Sequence, residues 1–174
     1  MRIRQATASD AKGVASITNA IIRDTLVTFT TTERSADSIA QDIETRSPAY
    51  LVADEGGEVL GFATYGPFRS GPGYADCSEL TIQLAPQARG QGTGRALIRA
   101  LEDVARAQGV HVLVAGISSA NPGAIAFHAA IGFTEVGRMP EVGFKWGKRL
   151  DLVLMQKILG TNISVAPDTR DQGR

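Results

Sequence analysis

One cysteine in 174 residues excludes an internal disulfide, and the two histidines stand too far from it and from each other to suggest a metal cluster. Lone Cys77 therefore points to a reducing, cytoplasmic setting and to no metal cofactor. Charge of one sign is also lacking. Eighteen Lys and Arg balance eighteen Asp and Glu, so no global field draws nucleic acid or an anionic membrane. Any anion site must be local. No window approaches the roughly 20 apolar residues of a membrane span, and the opening "MRIRQATASD" lacks the apolar stretch of a signal peptide. The sequence has no internal repeat and no linker. Its length suits one domain, read as residues 1–159, with a polar tail at 160–174 expected to be disordered.

What is present is a regular alternation of strand and helix signals. "RIRQAT" alternates as a short strand, and the helix that follows takes Ser9 as its N-cap, with Val14, Ile17, Ile21 and Ile22 at helical spacing. A second helix begins at Ser35 and stops before Ser47-Pro48, because proline pushes its predecessor out of helical geometry. "YLVADEGGEVLGFATYG" reads as a hairpin turning at Gly56-Gly57. "CSELTIQL" is a strand with two unlike faces: Leu80, Ile82 and Leu84 point one way, and Glu79, Thr81 and Gln83 the other. After a glycine turn comes a helix striped with Leu97 and Leu101, then the apolar strand "VHVLVAGI" and a short helix from Asn121 to Ile131. "FTEVGRM" and "RLDLVLMQKI" read as closing strands around a loop, "PEVGFKWGK".

The glycine turn is the most informative local feature. Arg89-Gly90-Gln91-Gly92-Thr93-Gly94 stands between the two-faced strand and a helix. Glycines there let a ligand approach the backbone, and the first N–H groups of the helix lack partners, so the turn can cradle an anion. A bare strand-to-helix turn has the same appearance. Arg95-Ala96 follows where a P-loop requires Lys-Ser/Thr, which excludes an NTPase. The G-x-G-x-G spacing, with no acidic residue in the next strand, also disfavours a dinucleotide fingerprint.

The pattern R-x-x-G-x-G in this position resembles the acetyl-CoA pyrophosphate loop of the GCN5-related N-acetyltransferases. "SSANPGAIAFHAAIGF" is similar to that family's later segment, with Asn121 and Gly132-Phe133 at matching places. "FTTTE", "YGPFRSGPGYADCSELTIQL" and "GFKWGKRLDLVLMQ" further resemble phosphinothricin and methionine sulfone/sulfoximine acetyltransferases, over roughly Arg2 to Leu159. The resemblance implies an α/β fold with a mixed, mostly antiparallel sheet flanked by helices and splayed at the acetyl-CoA site. It also implies a homodimer, and a small amino acid or amino-acid analogue as acceptor. Where the subfamily often has tyrosine, this chain has Gln83.

Within that resemblance Ile82, Gln83, Leu84, Arg89, Gly90, Gln91, Gly92, Thr93, Gly94, Arg95 and Asn121 fall at cofactor-binding positions. Acetylating an amine requires a neutral amine, so a base must remove its proton, and Glu79 at the polar face is the candidate. A backbone N–H near Ile82 to Leu84 is the candidate oxyanion donor. His128 is placed as general acid toward the CoA thiolate, as substrate ligand or as structural residue. Arg69 is the expected carboxylate partner, with Pro72, Gly73, Tyr74 and Phe29 shaping the acceptor pocket. Lys145 and Trp146 belong to a loop that reaches the site, a partner subunit or solvent. Cys77 has nothing nearby to activate it, so transfer is expected to be direct. The competing readings are acetylation of another amine, such as a protein N-terminus, a polyamine or an aminoglycoside, and a non-catalytic CoA-binding module.

Overall fold

The structure, a computed structural model, describes residues 1–160. The expected disorder of the tail beyond Gly160 falls outside them. Seven strands, β1 (Arg2–Gln5), β2 (Tyr50–Glu55), β3 (Glu58–Pro67), β4 (Cys77–Leu84), β5 (Val112–Ser118), β6 (Thr134–Lys145) and β7 (Lys148–Ile158), form one sheet in the order β1-β2-β3-β4-β5-β7-β6. Every neighbouring pair is antiparallel except β4 and β5, which run parallel. Helices α1 (Ala11–Asp24) and α2 (Ala36–Arg46) lie on one face, and α3 (Thr93–Ala107) and α4 (Pro122–Ala130) on the other.

Strand alternation divides the core between those faces. Ala63, Tyr65, Leu80, Leu113, Ala115, Val153 and Met155 pack with Leu97, Ile98 and Leu101 of α3. Tyr50, Val52 and Phe62 pack with Val14, Ile39 and Ile43 of α1 and α2. Consequently Glu79, Thr81 and Gln83 face α1 and α2, as the alternation of "CSELTIQL" requires. The hairpin at Gly56-Gly57 forms with φ of 62° and 90°, the left-handed pair that glycine supplies without a Cβ penalty.

Two local expectations are corrected. Ser9 does not cap the first helix. A short 3-10 turn at Ala8–Asp10 precedes α1, so Asp10 and not Ser9 takes the N-cap position; its carboxylate makes no cap bond to α1 and instead accepts from the Thr7 N–H at 2.8 Å, closing the turn. Arg4 fixes Asp10, with Nη1 and Nη2 at 2.8 and 2.7 Å from its two oxygens, and this double charge-assisted contact anchors the turn that moves the start of α1 past Ser9. The segment "PEVGFKWGK" is mostly strand, since β6 continues to Lys145 after an irregularity between Met139 and Gly143. Pro140 is tolerated there because β6 is the sheet edge. The Glu141 N–H donates to Asp151 Oδ1 at 2.9 Å and carries the chain through a φ of 58°.

Candidate functional site

The parallel pair in the middle of the sheet is short. Register runs from Cys77 opposite Val112 to Leu80 opposite Ala115, and from Thr81 and Gly116 onward the two strands part. Thr81 to Leu84 still pair with Gly61 to Thr64 of β3, so only their β5-facing edge loses its partner. A fork therefore opens in the sheet, with backbone polar groups along one side of it.

At the far end of β4 the chain passes a 3-10 turn at Pro86–Ala88 and enters the glycine segment. Gly90 and Gly92 have φ of 73° and 82°, and Gly92, the residue before α3, carries no side chain to cap the helix. The first amides of α3 thus remain available, at Thr93, Gly94 and Arg95. A Cβ at Gly90 or Gly92 meets no protein atom within 4 Å. These glycines are required by backbone conformation and by room for whatever lies above them, rather than by crowding within the protein. Gly94 is different, since a Cβ there stands 3.2 Å from the Phe127 ring, so its absence lets α4 approach α3. Arg89 reaches back toward the Leu84 carbonyl at 3.5 Å. A cavity of about 630 Å³ between α1 and this turn is bordered by Leu84, Ala85, Gln87 and Arg89.

Across the fork, Asn121 caps α4 by accepting from the Ala124 N–H at 3.1 Å, and its amide NH₂ has no partner among the described residues. His128, one turn further along α4, is 4% exposed and sits edge-on between Phe127 and Phe133, each ring centroid 5.2 Å away. Its Nδ1 lies 2.8 Å from the Ala124 carbonyl, which can only accept, so the proton is on Nδ1. Burial lowers the pKa of the ring and keeps it neutral. Nε2 is left as a buried lone pair without a partner among the described residues. A ring in this tautomer accepts a hydrogen bond at Nε2; it does not deliver a proton from there.

Glu79 lies at the root of the fork, one residue before the last paired position. Opposite it in β3 is Gly66. On the β5 side its Oε1 comes within 2.9 Å of where a Cβ on Gly116 would be, so the carboxyl rests against bare backbone. Glu79 as a residue stays exposed, but the burial of its carboxyl end, with no partner among the described residues to offset it, raises its pKa. Gln83, two strand positions on, accepts from Thr18 of α1 at 2.8 Å and is thereby fixed to the helix. The thiol of Cys77 is pushed up by burial and by Asp76, which keeps it protonated.

The segment between α1 and α2 packs on the end of β5 and on β6, on the face that Glu79 shares. Phe29 stacks directly on Gly143 of β6, where a Cβ would stand 2.7 Å from the ring. Ser118 of β5 donates to the Leu26 carbonyl at 2.8 Å. Lys145 is 1% exposed, with Nζ 2.6 Å from the Ile22 carbonyl at the end of α1 and 3.4 Å from Thr28 Oγ1. Sequence reasoning left this lysine among loop, partner and solvent; it is a buried tie that fixes the Phe29 segment to the β6–β7 turn. Only the amphipathic reach of lysine hinted at this. Trp146 is exposed beside it.

The structure thus brings Glu79, Gln83 and Phe29 to one face of the sheet and the glycine turn to the end of the same strand. Arg69, Pro72, Gly73 and Tyr74 lie on the loop joining β3 to β4 beyond Pro67 and Ser78. Arg69 is exposed, with its guanidinium 5.7 Å over the Phe68 ring, and Tyr74 meets the same ring edge-on.

A sheet forked beside an amide-lined turn, with a carboxylate at its root, can receive an anionic group at the turn and hold a proton acceptor beside the fork. Residues 15–133 match the acetyltransferase (GNAT) family, and the chain belongs to it. It is 37% identical over 158 residues to the L-methionine sulfoximine/L-methionine sulfone acetyltransferase of Pseudomonas aeruginosa, covering 88% of this chain and 92% of that one. It is 32% identical over 172 residues to the phosphinothricin N-acetyltransferase of Streptomyces coelicolor, covering 91% and 96%. Among solved structures, that of the acetyltransferase yncA from Salmonella typhimurium with its cofactor acetyl-CoA superposes with a TM-score of 0.89 at 36% identity, over 97% of this chain and 98% of that one.

Proposed function

We propose that the chain transfers the acetyl group of acetyl-CoA to the α-amine of a small amino acid or amino-acid analogue of the methionine sulfone, methionine sulfoximine or phosphinothricin type. The observation that carries this reading is Glu79 at the root of the fork, unpaired and partly desolvated. The names of the relatives support the acceptor class. The residues present suit the cofactor: the amides from Gly90 to Arg95 would receive the pyrophosphate, Arg89 would add a positive charge, and the free Asn121 amide would face the pantetheine arm. When bound, acetyl-CoA supplies an activated acyl group as a thioester.

The chain's own residues then do the rest. The acceptor's ammonium gives a proton to Glu79, directly or through a water, and the amine attacks the thioester carbonyl without an enzyme-bound intermediate. Amides on the unpaired edge of Ile82 to Leu84 point where the oxyanion forms, and losing one such donor typically costs about 100-fold or more. The leaving thiolate has a pKa of roughly 8.5 and needs no obligatory acid. Neutral His128 accordingly serves better as a hydrogen-bond acceptor than as an acid. Arg69, on its exposed loop with Pro72, Gly73 and Tyr74, adds positive charge at the outer side of the acceptor pocket that Phe29 closes.

A homodimer fits the edge of the sheet. Val136, Met139, Val142, Phe144 and Trp146 are all exposed along β6 and its turn, and an apolar edge strand is a surface that a second copy can cover. Sedimentation showing only monomer at micromolar concentration would refute this.

The test of the reaction is acetyl-CoA consumption against a panel of those amino acids. Glu79→Gln should lower kcat by about 100-fold or more with acetyl-CoA affinity unchanged. The raised pKa of Glu79 sets the sign of the pH dependence: the base is inactive when protonated, so kcat/KM should rise with pH through an apparent pKa above the ordinary value of about 4.3. That limb should vanish in Glu79→Gln. Equal activity of the variant at every pH would remove the base assignment.

A further inference from the structure

On the face it shares with α1 and α2, Glu79 has a glycine near it on each neighbouring strand, although its direct partner on β5 is Val114. On the β5 side is Gly116, against which its carboxyl leans. On the β3 side is Gly66, directly opposite. The space above Gly66 is taken by Arg46, the last residue of α2, whose guanidinium carbon is 3.8 Å from the position of a Gly66 Cβ, with Nε and Nη1 at 3.9 and 4.0 Å. No hydrogen bond holds this guanidinium among the described residues. Its ion-pair partner, Asp42, stands at 3.8 Å and already receives Arg34 Nη1 at 2.7 Å. Two guanidinium groups share one carboxylate, which leaves one positive charge uncompensated over the strand next to Glu79.

Resting on the reading of Glu79 as base, we propose that Arg46 binds the carboxylate of the amino-acid acceptor and so orients its amine toward Glu79. The dimensions agree. Arg46 lies over β3 at Gly66 and the Glu79 carboxyl leans over β5 at Gly116, two strand spacings across and two residues along, so these backbone positions are roughly 11–12 Å apart. An α-amino acid carries amine and carboxylate on one carbon, so with a hydrogen bond of about 2.8 Å at each end it spans most of that distance. The two glycines put no side chain directly beneath either group, and on β4 between them stand Glu79 itself and Thr81. Thr64, next along β3 on the same face, is 2% exposed and its Oγ1 has no partner among the described residues, so the floor also offers a hydroxyl that is otherwise unsatisfied. A planar guanidinium can present two parallel donors to a carboxylate. Arg46 extends from a helix end onto the sheet, whereas Arg69 rides on the loop beyond β3.

The experiment compares the panel amino acid of highest turnover with its α-carboxamide, in the wild type and in Arg46→Gln, Arg46→Lys and Arg69→Gln. In the wild type the free acid should have the lower KM. Arg46→Gln should raise the KM of the acid by about 10- to 100-fold, the range for losing a hydrogen bond to a charged group. It should leave the KM values of the carboxamide and of acetyl-CoA nearly unchanged, and Arg46→Lys should recover part of the loss. A structural role would instead lower the melting temperature and raise both acceptor KM values together, which overturns the proposal. So does an acid-to-amide ratio that Arg46→Gln leaves intact, or one that only Arg69→Gln erases. Glu79→Gln assayed in parallel keeps the outcomes apart, because full activity there refutes the base whatever Arg46 does.

Discussion

Gly116 offers a way to move the Glu79 carboxyl without altering Glu79. In Gly116→Ala the new methyl lies 2.9 Å from Glu79 Oε1 and 3.4 Å from Leu152 Cδ1. The second distance is an ordinary contact, but the first is too short, so the carboxyl must retreat to 3.4 Å or beyond. It is the free end of a flexible side chain, and the retreat costs the fold little. Gly116 is not among the residues with positive φ, so alanine is accommodated by the backbone and restricts the unfolded chain, a gain of about 0.4–1 kcal/mol. Stability should therefore be unchanged or slightly higher. Activity should fall, because a misplacement of about 1 Å costs on the order of 100-fold and half that displacement about 10-fold. The assay is release of free CoA thiol under acceptor saturation, with thermal unfolding measured on the same preparation. A tenfold lower kcat with an unchanged or raised melting temperature is the expected result. Wild-type kcat in Gly116→Ala, alongside a defective Glu79→Gln, would show that the carboxyl does not work from the position it occupies against β5.

Two further outcomes follow from the glycine turn and the α4 histidine. Gly92→Ala places a Cβ at φ 82°, where left-handed geometry costs about 1–2 kcal/mol; calorimetry should show weakened acetyl-CoA binding and a lowered melting temperature, and wild-type affinity would remove the turn from the cofactor site. His128 has a folded-state pKa below its unfolded value, so the stability it contributes is present above about pH 6.5 and is lost as pH falls through the lowered value. Thermal unfolding of the wild type should weaken as pH drops below about 6.5, with a shallower dependence in His128→Phe; matching slopes would refute the buried neutral imidazole.

Much of the local architecture was legible because it depends on neighbours in the chain. The Gly56-Gly57 turn, the Ser35 cap, which accepts from the Ser38 N–H, and the segregation of Glu79, Thr81 and Gln83 from Leu80, Ile82 and Leu84 all follow from φ preferences, capping chemistry and the two-residue period of a strand. The glycine turn was likewise visible as a place where amides are left open, and its kinship with a cofactor loop came from the motif itself. Ser9 misled because it lies inside a 3-10 turn that the Arg4–Asp10 contact anchors, and Arg4 and Asp10 belong to different elements. β6 was cut short because Pro140 and two glycines resemble a loop when the edge position that tolerates them is unknown.

The sequence by itself determined which residues present polar groups to one side of a strand and where the backbone can receive an anion, since both are properties of a few consecutive residues. Only the tertiary structure decided that β4 and β5 pair in parallel for four residues and then part, because register between strands 35 residues apart in the chain is set by packing on both faces. The same long-range packing set Gly66 and Gly116 on either side of Glu79, brought Arg46 over one of them, and buried Lys145 beneath the segment that carries Phe29. Those contacts join residues with no sequence relation, so they exist only once the sheet has formed.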